Sequence, residues 1–210
     1  MKFIHIRRAA ALLIVLMCFA VVSVALAGTM RYAPLGPAED LLGKVSVYCD
    51  SWNTLIGSAL DVDLSFDPDK LSTIEALHYD MGGNRVTTLD VDGIHLDVDS
   101  ELTVYSVTIH ITPTTEGQYA ATSRIFAVLN ALFMDLPHDE SEMLSRYMDE
   151  LEQYTAFLEE NKNKLASTGL VYYDIAHFSS PKAADEPEFE VVFTAIGGRI
   201  HVTIDRLYFE

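Results

Sequence analysis

The sequence predicts an α+β fold: an antiparallel sheet of two meanders packed with about three helices, preceded by an N-terminal signal or anchor helix. Apolar residues recur at three- and four-residue steps in three segments and alternate with polar residues in the segments between them. Strands follow strands and helices follow helices, which is the order of an α+β fold and not of a βαβ fold. The 210 residues, half of them hydrophobic, suffice for one well-filled core.

Residues 1–27 predict an export signal. The segment begins with basic side chains and continues as an uncharged apolar run over residues 9–27. Ala25 and Ala27 are spaced like the Ala-x-Ala motif of a cleavage site. The apolar run is also close to the roughly 20 residues that span a bilayer. The segment is therefore either a cleaved signal peptide or an uncleaved membrane anchor.

The basic start of this segment sets the orientation of the chain. Lys2, Arg7 and Arg8 are held in the cytoplasm by the positive-inside rule, so the chain that follows faces outward. We expect residues 28–37 to be a linker and residues 38–210 to be a single extracytoplasmic domain. The protein is then exported, and either secreted or anchored in the cytoplasmic membrane through its apolar run.

The helices are placed by their apolar stripes and by their end signals. Pro37 is suited to open the first helix, acidic residues suit the positive N-terminal ends of the first and third, and Gly169 supplies a C-terminal cap. The predicted helices cover about 38–60, 117–134 and 139–166.

The strands follow from alternation between turn signals. Gly197 and Gly198 supply the positive φ angles that a two-residue hairpin turn requires. Residues 61–70 indicate a short strand or a loop. The predicted strands cover about 73–80, 85–91, 94–99, 102–112 and 170–178, followed by a hairpin over 189–209.

Acidic side chains dominate the exported part of the chain. Removing residues 1–27 leaves 11 basic against 31 acidic residues, a net charge of −20. Such a field repels nucleic acid and anionic lipid headgroups, and favours a soluble domain, a cation-binding surface or a basic partner. We therefore predict no nucleic-acid partner, and membrane contact only through residues 9–27 if they are not removed.

The stretch LDVDGIHLDVDSE, residues 89–101, has an acidic residue at nearly every second position. Aligning Gly93 with the sixth position of an EF-hand calcium loop leaves Thr88 at the first position, and strand-forming residues follow where a helix should begin. A hairpin that turns at Asp92 and Gly93 accounts better for the alternation. Its inward residues are Leu89, Val91, Ile94, Leu96 and Val98.

A weak surface cation site is the residual alternative for the same stretch. It would use Asp97 and Asp99 of the hairpin, together with Asp61 or Asp63 from the neighbouring acidic loop. Hard cations such as calcium take carboxylate oxygens, which this chain offers in excess.

The third predicted helix offers two alternatives. Its leucines recur at steps of seven over residues 139–166, with Tyr147 and Tyr154 between them. They are Leu144, Leu151, Leu158 and Leu165. The stripe either packs on the protein's own sheet or forms a coiled coil in a homo-oligomer. Asn161 falls in the seam and weakens a coiled coil, so packing on the sheet is favoured.

Sequence motifs indicate no catalytic residue, no cofactor and no metal site. Cys49 is the only cysteine after the apolar run, and its helical spacing from Val45, Tyr48 and Trp52 favours a buried thiol. The histidines outside the export signal form neither an HExxH motif nor a close His-x-His pair that would indicate zinc. They are His78, His95, His110, His138, His177 and His201.

Three functions stay open. The first, favoured because no catalytic motif is present, is a non-enzymatic binding or interaction module at or outside a prokaryotic cell envelope, with an unknown protein or small-molecule partner. The second is an envelope hydrolase-like enzyme that uses Cys49 or a site of histidine and carboxylate. The third is a structural oligomer built through the helix at 139–166.

Overall fold

The computed structural model describes residues 30–73, 79–81, 83–133, 139–173, 188–197 and 199–209. Within these ranges an antiparallel sheet and three helices form the α+β fold that the sequence predicts. The signal or anchor expected at residues 1–27 lies outside the described residues.

The three helices confirm the predicted segments to within two residues at each end. Helix α1 spans Ala38–Trp52 and continues directly through a π-helical turn, Asn53–Gly57, and a last short turn, Ser58–Leu60. Helix α2 spans Thr115–Phe133, and helix α3 spans Glu140–Thr168.

Capping side chains and charges explain where α3 begins and ends. Asp139 is the N-cap residue, and its side chain accepts a hydrogen bond of 2.7 Å from the backbone N–H of Glu142. Glu140 and Glu142 add negative charge at the positive end of the helix dipole. At the other end Gly169 has a φ of 71°, and its N–H donates to the carbonyl of Leu165 at 2.8 Å. The predicted glycine cap is confirmed.

The described residues form ten strands. They are β1 Met30–Tyr32, β2 Gly36–Pro37, β3 Leu71–Thr73, β4 Tyr79–Met81, β5 Asn84–Val91, β6 Ile94–Val98, β7 Thr103–Ile111, β8 Leu170–Tyr173, β9 Glu188–Ile196 and β10 Arg199–Phe209. The loop at 61–70 contains no strand. The predicted strand segments 74–78 and 174–178 lie outside the described residues.

The sheet order is β3-β5-β6-β7-β10-β9-β8, with β4 paired to β5, β1 to β10 and β2 to β7. Strands β5, β6 and β7 form one meander, and β8, β9 and β10 form the second. Antiparallel pairing of β7 with β10 joins them. Both predicted meanders are therefore present in a single sheet.

The acidic stretch at 89–101 is a hairpin, as the alternation predicts. Strands β5 and β6 meet at Asp92 and Gly93, whose φ angles are 48° and 85°, as a two-residue type I′ turn requires. The apolar residues of β6, including Ile94 and Leu96, are buried, whereas the alternating polar residues are half-exposed. Strand β7 follows where an EF-hand would need a helix, so the calcium-loop alignment is wrong.

The stretch expected to be a linker, residues 28–37, differs from the prediction. Its described part adds β1 and β2 to the sheet beside β10 and β7. The backbone N–H groups of Ala33 and Leu35 donate to carbonyls of Arg206 and Val104, both at 2.7 Å. Pro34 lies between these two donors. Alternation along the strand directs the backbone nitrogen at this position away from the sheet, so a proline there costs no ladder hydrogen bond.

One hydrophobic core lies between the helices and the inward side of the sheet. An aromatic cluster fills its centre: the ring of Trp52 lies 5.0 Å from that of Tyr147 and 6.2 Å from that of Phe126, between ring centres. The contact with Phe126 is edge-to-face, an arrangement that stabilises a core beyond the area it buries. Among the described residues, no helix combines the length and apolar character needed to cross a membrane.

Candidate functional site

A cleft of about 870 Å³ lies between α2, α3 and one end of the sheet. Helix α3 contributes one wall through its leucine stripe, and Tyr119 of α2 lies in the other wall. The floor consists of inward-facing residues from β7, β9 and β10. The apolar lining residues are Ile111, Tyr119, Leu151, Tyr154, Leu158, Leu165, Ala166, Ala195 and Ile200.

The threonines that line the cleft add little polarity to it. Thr122 donates its hydroxyl to the carbonyl of Gln118, and Thr155 donates to that of Leu151, both at 2.7 Å. Each hydroxyl is thus satisfied by the preceding turn of its own helix. An ion pair between Glu159 and Lys162 lies where the cleft meets solvent. Thr115 and Gln118, both exposed, also lie in the lining. The lining is therefore mainly apolar, and its charged groups, Glu159 and Lys162, are paired.

The leucine stripe of α3 packs on the protein itself and forms this cleft wall. Leu165 is buried, and Leu151 and Leu158 are half-buried against the core. Leu144, the first leucine of the stripe, is 39% exposed. Asn161 donates its side-chain amide to the carbonyl of Phe157 at 2.9 Å. Packing on the sheet, which the sequence favours, is thus observed, and a homo-oligomer through residues 139–166 stays a prediction.

Cys49 is buried in the core, as its helical spacing predicts. Its side chain has no exposed surface, and the hydroxyl of Ser123 lies 3.9 Å from its sulfur. Burial raises the pKa of the thiol to about 12. Nucleophilic cysteine chemistry needs an accessible thiolate, so this geometry gives no support to a hydrolase that uses Cys49.

Three of the six histidines outside the export signal converge on the outward side of the sheet. His110 of β7 lies opposite His201 of β10 in the strand register, with ring centres 4.4 Å apart. His95 of β6 lies diagonally across from His110, with ring centres 4.2 Å apart. A hydrogen bond of 2.9 Å joins Nε2 of His110 to Nδ1 of His95. We call these residues the histidine cluster; His78, His138 and His177 lie outside the described residues.

Two members of the histidine cluster have lowered pKa values. Burial, followed by the charges that His95 and His201 carry when protonated, lowers the pKa of His110 to about 4. Burial and the charge of Arg199 lower the pKa of His201. The carboxylate of Asp90 contacts the cluster: its Oδ1 lies 3.8 Å from Nε2 of His95. The histidine-and-carboxylate alternative for an enzyme keeps this pair, and it stays a prediction.

A row of acidic side chains crosses the same outward side of the sheet. In the strand register Asp97 is opposite Ser106, Ser106 is opposite Asp205, and Asp205 is opposite Glu190. Asp205 is only 7% exposed, and burial raises its pKa to about 6. Glu190 also has a raised pKa because of burial. Asp205 and Glu190 therefore hold their protons to a higher pH than free carboxyl groups do.

The structure does not bring the predicted cation ligands together. Asp97 accepts the hydroxyl of Thr88 at 2.6 Å, and Asp99 accepts two backbone N–H groups of its own turn. Asp63 interacts with Lys70 and Arg124, which pair with Asp92 at the opposite end of β6. In the part of the chain that the structure describes, no three histidine, cysteine or acidic side chains are arranged to hold a metal ion.

Sequence reasoning missed the convergence of the histidines, and the strand register is the signal that reveals it. His95, His110 and His201 are far apart in the sequence, and each has an outward position in a predicted strand. The predicted hairpin fixes the offset between β6 and β7. The pairing of β7 with β10 spans two helices, and local alternation does not specify it. No protein-family model, curated protein or solved structure matches this chain with significant similarity.

Proposed function

We propose that this chain is an exported, non-enzymatic binding module at or outside a prokaryotic cell envelope, and that its α2–α3 cleft binds a neutral apolar small molecule. The observation that carries the proposal is the cleft itself, with an apolar lining and a volume of about 870 Å³. Pockets for small molecules have about 300–1,000 Å³ and are lined mainly by apolar and aromatic side chains.

The charge of the protein favours a neutral ligand over an anionic one. The chain after residue 27 carries a net charge of −20, which repels anions. The one lysine at the cleft, Lys162, is already paired with Glu159. An anionic headgroup at this lysine would also lie beside the carboxylate of Glu159, which repels it.

Apolar burial is sufficient to drive such binding. Removing about 300 Å² of ligand surface from water contributes about 7.5 kcal/mol at about 25 cal/mol per Å². The loss of ligand freedom offsets several kcal/mol of this gain, which leaves about 4–5 kcal/mol, an affinity in the sub-millimolar range. A partly open cleft of this kind suits reversible capture and release.

Export of the module is proposed from the N-terminus and from the charge. The basic start and apolar run of residues 1–27 support targeting to the cytoplasmic membrane, with release by cleavage or retention as an anchor. The acidic remainder supports a domain that stays soluble outside the cell.

A photoreactive probe tests the cleft directly. The protein as purified from its own host is incubated with dodecanol that carries a diazirine, irradiated, digested, and mapped by peptide mass spectrometry. We expect labelling on peptides that contain Tyr119 or Leu158, and competition by plain dodecanol at concentrations where dodecanoate does not compete. Labels spread evenly over the surface would refute the proposal.

Matched phenylalanine variants of α3 show whether the cleft is responsible. Ala166 is exposed and lies at the cleft, so Ala166→Phe fills part of it without disturbing the core. Ala156 is exposed on the same helix and is not part of the lining, so Ala156→Phe is the control. We expect a loss of labelling of at least fivefold in the first variant and no loss in the second. Equal labelling of both variants would contradict the proposal.

A further inference from the structure

We infer that the histidine cluster, His95, His110 and His201, is a binding site for a divalent transition-metal ion of the zinc and copper class. The inference does not rest on the cleft. The cluster lies on the outward side of the same sheet end, back to back with Ile111 and Ile200 of the cleft floor.

The placement of the rings carries the argument. Three imidazoles come from three neighbouring strands, and consecutive ring centres are 4.2 and 4.4 Å apart. The side chain of His95 is 24% exposed, so an ion has access from solvent. Zinc and copper both take imidazole nitrogen, and a rigid sheet holds such ligands better than loops do.

One pair of nitrogen atoms in the cluster needs only a small rearrangement to receive an ion. Nδ1 of His95 and Nε2 of His110 are 2.9 Å apart because they share a hydrogen bond. Two nitrogens bound to tetrahedral zinc at about 2.05 Å are about 3.3 Å apart, so this pair must open by about 0.4 Å. These two donor atoms are thus close together, but they are not yet at the spacing of metal ligands. This agrees with the finding that no three such side chains among the described residues are already arranged to hold a metal ion.

A neighbouring charge also favours the ion. Asp90, 3.8 Å from Nε2 of His95, favours the tautomer that carries its proton on Nε2, which frees Nδ1 for the metal. Arg199 opposes a cation, although its own side chain is exposed and screened.

Zinc titration of the full-length chain tests the inference. The probe is Zn²⁺ alone, measured by competition with a chromophoric chelator after the protein has been stripped of metal. We expect one Zn²⁺ per chain and no displacement by a large excess of Ca²⁺, because calcium prefers oxygen ligands. Failure to bind one equivalent, or displacement by Ca²⁺, which would indicate the acidic surface instead, overturns the inference.

Variants on the same side of the sheet locate the ion. His110→Asn and His201→Asn are each expected to weaken Zn²⁺ binding at least tenfold, and Asp90→Asn by about tenfold through the loss of ring orientation. Thr194→Asn is the control, because Thr194 is the cross-strand partner of His201 and has no imidazole. Unchanged binding in His110→Asn would overturn the inference. Urea unfolding followed by Trp52 fluorescence shows whether each variant folds.

A spectroscopic readout on the unaltered protein covers the case in which a variant does not fold. X-ray absorption of the zinc-loaded chain counts imidazole ligands without any substitution. Three imidazole nitrogens support the inference, and any other number overturns it.

Discussion

Replacing Glu150 with glutamine is expected to remove a pH dependence from the stability of this protein. Glu150 of α3 is 5% exposed; its Oε1 lies 3.4 Å from Nε of Arg146, and its Oε2 lies 3.4 Å from Nδ2 of Asn130. Burial raises the pKa of this carboxyl to about 7, and the charge of Arg146 offsets only part of that effect. The folded protein therefore holds this proton to a higher pH than the unfolded chain does.

The sign and size of the effect follow from that shift. A carboxyl with a raised pKa stabilises the fold fully below its unfolded value of 4.5, and the contribution is lost as the pH rises through about 7. At about 1.4 kcal/mol per pKa unit, this group alone lowers the free energy of unfolding by about 3 kcal/mol between pH 4 and pH 8. Only about 1 kcal/mol of this loss has occurred by pH 5.

Urea unfolding at pH 4.5, 6 and 8 measures the difference between the two proteins. The fluorescence of Trp52, the single tryptophan, reports on the region because its ring lies 5.0 Å from that of Tyr147 on α3. We expect the stability of the glutamine variant, relative to the parent, to rise by about 3 kcal/mol from the lowest to the highest pH. Glu152→Gln, at an exposed position of the same helix, is the control. A difference between Glu150→Gln and the parent that is the same at all three pH values would refute the reasoning.

Three further predictions concern the core, the hairpin and the oligomer. Buried Cys49 should resist a thiol reagent in the native protein and react fully in urea; rapid native labelling would restore it as a candidate nucleophile. Gly93→Val should lower the free energy of unfolding by about 1–2 kcal/mol in a urea titration, because Gly93 has a φ of 85°; an unchanged midpoint would contradict the turn geometry. If α3 joins subunits, the double substitution Leu144→Lys and Met148→Lys at exposed positions should give a folded monomer by native mass spectrometry. A parent protein that is already monomeric would refute the oligomer hypothesis.

Local pattern was sufficient for most of the fold. The turn at Asp92 and Gly93 was predicted because few residues other than Asp, Asn and Gly accept positive φ at both turn positions. The burial of Cys49 was predicted from its spacing to Tyr48 and Trp52 on one helix face. Both features depend on neighbours a few residues away, which is the range that a sequence pattern reports.

Contacts between distant segments were beyond the reach of the pattern. Asp92 is a turn residue by sequence, yet its carboxylate also accepts from the backbone N–H of Asp67 at 3.2 Å and pairs with Arg124 at 3.3 Å. The two strands formed by the predicted linker pair with the ends of β10 and β7, beyond the stretch in which those two strands pair with each other.

The candidate sites were predicted less well than the fold, for the same reason. The leucine stripe of α3 indicated an apolar surface, but whether that surface meets the sheet, a ligand or another subunit depends on how α2 and α3 diverge. The histidine cluster depends on the register between β7 and β10, which are separated in the sequence by two helices and by strands β8 and β9.

The central claim is that the α2–α3 cleft binds a neutral apolar molecule. Native mass spectrometry of the protein recovered from its own host tests this claim most directly. We predict that the parent protein and Ala156→Phe retain a small molecule that can be extracted into organic solvent. Ala166→Phe is expected to lack it. A parent protein with no retained mass that also gains none when dodecanol is added would contradict the account.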